Sequence, residues 1–138
     1  MYGSFLFACY DDDTEVFQTV VKAGTGFSDE DLKQLHEKLI EFETEQCDDR
    51  VRYKDKNIDV WFVPKVVLEI KAADLTVSPI YMAAYGEVDQ NKGISLRFPR
   101  FIRLREDKQP EDCSTSDQIA SMYKNQQSVA QNDIDFND

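Results

Sequence analysis

Residues 93–108, GISLRFPRFIRLREDK, set the tightest limits on what this chain can fold into. Arg97, Arg100, Arg103, Arg105 and Lys108, with Lys92 just ahead, are interleaved with Leu96, Phe98, Phe101, Ile102 and Leu104. At a strand's period of two, Ser95, Arg97, Pro99, Phe101, Arg103 and Arg105 share one face, and Leu96, Phe98, Arg100, Ile102 and Leu104 the other. Neither face is cleanly apolar, which excludes a plain amphipathic strand. The alternation sets Arg100 and Arg103 on opposite faces. Pro99 removes a ladder donor and predicts an edge, a bulge or a bend. An edge strand can carry cations simply to discourage aggregation, but that device takes one or two lysines rather than arginines packed around phenylalanines. Clustered guanidinium groups with aromatics predict an anionic partner, nucleic acid or phosphate.

The net charge of −11 argues against such a partner only as an average. Residues 1–49 hold 13 acids against 3 bases, and residues 109–138 hold 6 against 1. Residues 91–108 reverse this, with 6 bases against 2 acids. Screening over roughly 8–10 Å lets that patch act locally. At 138 residues the chain is long enough for one core. Cys9, Cys47 and Cys113 are odd in number and far apart, so neither a disulfide framework nor a zinc site is predicted, and a reducing compartment fits best. No apolar run approaches the ~18 residues of a membrane span, and no signal peptide is visible, so a soluble chain is predicted. A strand that starts at Tyr2, directly after Met1, reads like an excised domain.

In chain order, residues 2–10 and 15–22 predict a hairpin around Asp11, Asp12 and Asp13. These acids lack further ligands at calcium-loop spacing and read as a turn, with no metal site predicted. Gly24 and Gly26 break the second strand. Residues 28–46 predict a helix, with Ser28 as N-cap, Asp31 completing a capping-box arrangement, and Leu32, Leu35, Leu39 and Phe42 as its apolar stripe. His36 at the stripe's margin reads as a packing or surface residue. Residues 47–59 predict an exposed connection, 60–63 a short strand, and 66–77 one half-buried strand with Glu69 and Lys71 outward. Residues 114–125 predict a short last helix, and the Gln/Asn/Asp-rich residues 126–138 a disordered tail. The chain is thus predicted to be mainly β with helices. About five uneven strands without βαβ alternation, one inserted helix and a short C-terminal helix fit a five-stranded Greek-key barrel of the OB type over residues 1–125.

No Ser-His-Asp or Cys-His set, phosphate loop or GxGxxG is present. What the residues offer is binding chemistry: guanidinium forks for phosphate oxygens, and Phe98 as an apolar wedge for a minor groove.

Several stretches resemble the C-terminal domain of ATP-dependent DNA ligases of the eukaryotic replicative type. GISLRFPRFIRLREDK is similar to the end of that domain, and REDK at 105–108 looks like its RxDK nucleotidyltransferase motif VI. YGSFLFACYDDD resembles its first strand, Lys22 to Phe27 its VGTGF turn, and WFVPKVVLEIKAADLTVSPIYMAA its EVKxADLxxSPIY segment. The resemblance covers nearly all of residues 2–125. It implies an OB domain with two tasks in DNA replication, repair and recombination. In enzyme adenylylation, with ATP and Mg2+ as cofactors, Arg105 and Lys108 would contact the β and γ phosphates, and Asp107 would order them. On nicked duplex DNA, Phe98 would enter the minor groove, Arg100, Arg103, Thr25 and Gly26 would contact DNA, and Arg97 would dock onto a carboxylate of the nucleotidyltransferase domain in the same chain. The family's adenylated lysine lies in a KxDG motif. None occurs here, so residues 1–138 alone should not seal nicks. The resemblance further implies a monomer in the nucleus. Where a small or basic residue is expected ahead of Gly86, Tyr85 stands instead. Capping guanylyltransferases share a motif VI and are the alternative resemblance; the RFPRF run before REDK and the SPIY segment favour the ligases. A stand-alone single-strand-binding OB module should spread stacking aromatics over the barrel face.

Overall fold

The computed structural model describes residues 3–137, with side chains placed through Gln127. Strands β1 (Phe5–Asp11) and β2 (Val16–Ala23) form the predicted hairpin. Its turn is closed by Asp11, whose carboxylate accepts from the Asp13 N–H at 3.1 Å and the Thr14 hydroxyl at 2.7 Å. Helix α1 (Asp29–Leu39) follows. Ser28 Oγ accepts from the Asp31 N–H at 3.0 Å, and the Asp31 carboxylate accepts from the Ser28 N–H at 2.9 Å, a complete capping box.

The helix stops short of the predicted residue 46. A 3-10 turn (Ile40–Phe42) leads into β3 (Glu43–Thr44), which pairs with β5 (Trp61–Phe62). Ladder bonds to a distant strand here outweigh local helix propensity. Between them, β4 (Val51–Arg52) adds to β2 in parallel, inside the predicted connection.

The predicted strand 66–77 is two strands, β6 (Leu68–Lys71) and β7 (Asp74–Ser78). The basic stretch likewise divides into β8 (Gly93–Arg97) and β9 (Arg100–Leu104). β7 pairs with β8 and β6 with β9, both antiparallel. Pairing Lys71↔Arg100 and Asp74↔Arg97 keeps one register, so this is a single ribbon bent where residues 72–73 face Phe98 and Pro99. The proline's missing N–H makes the break, as the sequence predicted. Bends and bulges thus give, among the described residues, nine strands in four small sheets instead of five in one closed barrel. Backbone links through Ala83 bridge two of the sheets, its N donating to Thr19 O and its O accepting from Ile94 N, while Arg105 N to Val67 O prolongs the β6–β9 ladder. The fold is mainly β, of the OB type, with α1 inserted after the first hairpin.

Two apolar clusters fill it. Cys9, Val20, Val21, Ala83, Ala84 and Ile94 pack under Ile119 and Ala120 of α2 (Ser116–Asn137). Phe5 packs with Leu35 and Leu39 of α1, flanked by Phe27, Leu68 and Leu104. Helix α2 extends well beyond residue 125, and Gln126 is held by both amide atoms: Oε1 accepts from Leu75 N and Nε2 donates to Leu75 O, each at 2.9 Å. Beyond Gln127, the side chains of the predicted tail lie outside the described residues. Cys9, Cys47 and Cys113 are free thiols. Burial pushes Cys9 up to about 12 and Cys113 to about 11, so neither is a thiolate at neutral pH. Among the described residues no helix is long and apolar enough to cross a membrane.

Candidate nucleic-acid and nucleotide interface

The bend in the ribbon creates the site. Phe98 occupies it with a left-handed backbone, φ +53°, and is 75% exposed. Both properties are costly for a phenylalanine, which has no Gly-like freedom and gains nothing from burial here. Arg97 stands beside it, its guanidinium carbon 5.5 Å from the ring centroid. The Arg97 fork is held by Asp74, directly across the ladder, through Nε to Oδ1 at 2.5 Å and Nη2 to Oδ2 at 2.7 Å. That pairing lowers the carboxyl pKa of Asp74.

The turn after β2 joins the same corner. Thr25 O accepts from Phe101 N at 2.9 Å, and the rings of Phe27 and Phe101 stack 4.4 Å apart. Gly26 has φ +92°, and a Cβ there would meet Phe101 O at 2.7 Å and Phe101 N at 2.8 Å. Only glycine lets this turn lie on β9. Thr25, Gly26, Phe98 and Arg100, far apart in sequence, therefore meet in one region.

The expectation that Arg100 and Arg103 lie on opposite faces is corrected. The register passes from Ile70↔Phe101 to Glu69↔Arg103, leaving Ile102 as an extra residue. That bulge restores the phase. Directly opposed residues share a face, so Arg100 lies with Lys71 and Arg103 with Glu69. Glu69 and Lys71 are two apart on one strand, so both arginines point outward together, while Phe101 is buried.

Arg105, at the end of the ribbon, is the most constrained of the set. Its Nε and Nη2 donate to the two oxygens of Asp107, both at 2.9 Å, and Nη1 donates to Glu69 Oε1 at 3.1 Å. Arg103 Nε shares that Glu69 oxygen at 3.2 Å. The bidentate contact holds the Asp107 carboxyl well below the usual carboxylate range and raises Arg105. Three of the five guanidinium N–H groups are thereby used, leaving two for a further acceptor. Lys108 closes the turn, N to Arg105 O at 3.4 Å, and its Nζ reaches Asp112 O at 3.5 Å. Lys38 of α1 pairs with Glu106, tying the helix to this turn.

The structure also shows what sequence reading passed over. Asp74 and Glu69 are the internal partners of the arginines, visible from the sequence only once strand register is known. A second aromatic group pairs Tyr53, in the segment read as a plain connection, with Trp61 of the predicted short strand, their ring centroids 4.7 Å apart. Tyr85 is engaged there too, its ring 4.5 Å from Lys54 Nζ. Asp11, Asp12 and Asp13 bring one oxygen each within 4.8 Å of one another, but Asp11 already serves the hairpin turn.

The geometry is thus an OB-type domain with an exposed phenylalanine among arginines and a braced arginine at the end of its ribbon. The model of the ATP-dependent DNA ligase C-terminal region matches residues 1–108, and the chain belongs to that family. It is 52% identical over 126 residues to DNA ligase 1 of Dictyostelium discoideum, covering 91% of this chain and 11% of the relative. It is 48% identical over 134 residues to DNA ligase 1 of Schizosaccharomyces pombe, covering 95% and 17%. To the protein named "Probable DNA ligase" in Aquifex aeolicus it is 45% identical over 129 residues, covering 93% and 22%. The chain thus spans only 11% to 22% of the length of these relatives.

Proposed function

We propose that this region serves an ATP-dependent DNA ligase that seals nicked duplex DNA, working first on ATP and then on DNA. The observation that carries the reading is Phe98, exposed and left-handed at a corner where Thr25, Gly26, Arg97 and Arg100 converge. A fold keeps such strain where function uses it. Phe98 enters the minor groove at the nick as an apolar wedge. Arg100 and Arg103, on one face, take phosphates on either side, and Thr25 and Gly26 approach the backbone closely. Arg97 exchanges Asp74 for a carboxylate of the nucleotidyltransferase domain and fixes the closed arrangement.

In the ATP step, Arg105 and Lys108 face the β and γ phosphates and stabilise the departing pyrophosphate. Asp107 and Glu69 hold the Arg105 fork in place beforehand, so catalysis here is positioning and electrostatics rather than covalent chemistry. ATP, when bound, would supply the adenylyl group that passes to the lysine of a KxDG motif, which these residues do not contain, and the pyrophosphate released would leave from Arg105 and Lys108. Beside Arg105 the carboxylates of Asp107 and Glu69 are committed to guanidinium groups and that of Glu106 to Lys38, so none is free to hold Mg2+. It belongs with the phosphates and the other domain. A monomer is the working form. Resemblance to eukaryotic ligases at 48–52% identity supports a nuclear role in replication, repair and recombination.

The test separates the two tasks in a full-length ligase carrying this region. Arg105→Ala impairs self-adenylylation and spares sealing of pre-adenylated nicks, whereas Phe98→Ala does the reverse. Equal loss of both steps in either variant would leave these residues with a structural role only.

A further inference from the structure

Residues 50–58, RVRYKDKNI, carry chemistry that the ligase reading leaves unused. Arg50, Arg52, Lys54 and Lys56 alternate there with a single acid, Asp55. Asp55 does not neutralise them, because Lys22 takes its carboxylate at 2.6 Å. Arg50 is bound to Asp48, and Arg52 donates to the backbone oxygen of Asp49 at 2.6 Å. Among the described residues Lys54 and Lys56 have no ion-pair partner, and Arg52, Lys54 and Lys56 are all exposed. Between these cations Tyr53 is 41% exposed, its ring tilted 57° to that of Trp61. Tyr53, Lys54, Asp55, Lys56, Ile58 and Trp61 line a surface groove of about 470 Å³.

A charge run that only solvates a surface has no need of exposed aromatics, and a packing pair of rings would be covered. Here Tyr53 opens to water beside a half-buried Trp61 and cations that no carboxylate neutralises, in a chain whose net charge is −11. We propose that this groove binds single-stranded nucleic acid, with an unpaired base stacked on Tyr53 beside Trp61 and flanking phosphates on Arg52, Lys54 and Lys56. Base stacking on an aromatic face with cations along the backbone is how single strands are held without sequence preference. A duplex hides the faces of its bases. An acidic peptide would use the cations and leave Tyr53 in water. The groove shares no residue with the Phe98 corner, so this binding stands apart from nick recognition.

Trp61 is the single tryptophan of the chain and reports directly. The 138-residue chain is titrated with an oligothymidylate of about ten nucleotides, within the strand length one such domain covers. Saturable quenching of Trp61 fluorescence is expected, weakening with salt. Tyr53→Ala reduces affinity about tenfold. Lys56→Glu, an exposed change that spares the rings, also weakens it. A blunt duplex of equal length and polyglutamate leave Trp61 unquenched. Absence of quenching, equal quenching by duplex or polyglutamate, or unchanged affinity in both variants would overturn the proposal. Nicked-duplex binding persists in Tyr53→Ala, so failure here and failure at the Phe98 corner are told apart.

Discussion

Arg97 and Arg105 are each held as a fork by one aspartate, Asp74 across the ladder and Asp107 two residues on. Asp74 is half-buried and Asp107 exposed, and hydrogen bonds from arginine lower both carboxyl groups below their ordinary values. A carboxylate whose pKa is depressed on folding stabilises the fold above the unfolded value, about 3.9 for aspartate. That contribution is lost as pH falls from there through the folded value. Acid unfolding between about pH 4 and pH 2 should therefore be less steep in Asp74→Asn than in the parent, with no difference in slope from pH 5 to 8. Melting temperatures across that pH series check it; equal slopes would mean that the pair is not formed in solution. The sequence made the arginines legible but not these partners. Arg97 and Asp74 lie 23 residues apart, and only register brings them opposite. Likewise Pro99 announced a bend, while the left-handed backbone of Phe98 has no signal in a phenylalanine.

Glycine positions make the corresponding test for elements. Gly26 and Gly86 both have positive φ, +92° and +83°. Beside Gly86 a Cβ meets nothing closer than Gln90 O at 3.9 Å, so Gly86→Ala carries backbone strain alone, about 1–2 kcal/mol. At Gly26 the same strain is joined by contact with the backbone of β9, which cannot move without disturbing the Phe27–Phe101 stack. Adding roughly 1–3 kcal/mol for that overlap gives a total of about 2–5 kcal/mol. Urea melts of the two variants read the difference; equal losses would mean that the β2 turn yields and does not brace β9. The element boundaries that failed did so for related reasons. The helix ends at Leu39 because Glu43 and Thr44 find a ladder partner in β5, a long-range contact with no local mark. Residues 66–77 split because their partner bends at Phe98 and Pro99. What is local, such as the Ser28 capping box or the hairpin, was readable; what depends on a distant strand was not.

At the scale of the molecule, the acidic total and the basic ribbon are reconciled by internal pairing. Arg97, Arg103 and Arg105 each already have a carboxylate partner, while Arg100 and Lys71, facing each other across the ladder, have none among the described residues. Counterion release counts only cations that newly neutralise phosphate. Two unpaired cations predict a shallow dependence, a slope of log K on log salt of about −2 for duplex binding by this domain. Pairing also limits affinity, because each arginine must give up a carboxylate to gain a phosphate. Replacing Asp74 by Asn and Glu69 by Gln together frees Arg97 and Arg103, while Arg105 stays with Asp107. The slope should then steepen by roughly another 2 units, and affinity should rise most at low salt. Fluorescence anisotropy of labelled nicked duplex from low to moderate salt measures both. If the parent slope is already near −4 and the double variant leaves it unchanged, the arginines exchange partners freely on binding. The carboxylates would then act as placeholders that keep the guanidinium groups extended. If the predicted steepening appears, Asp74 and Glu69 hold the domain's DNA affinity down. That is what a domain needs if it must leave DNA to close over ATP.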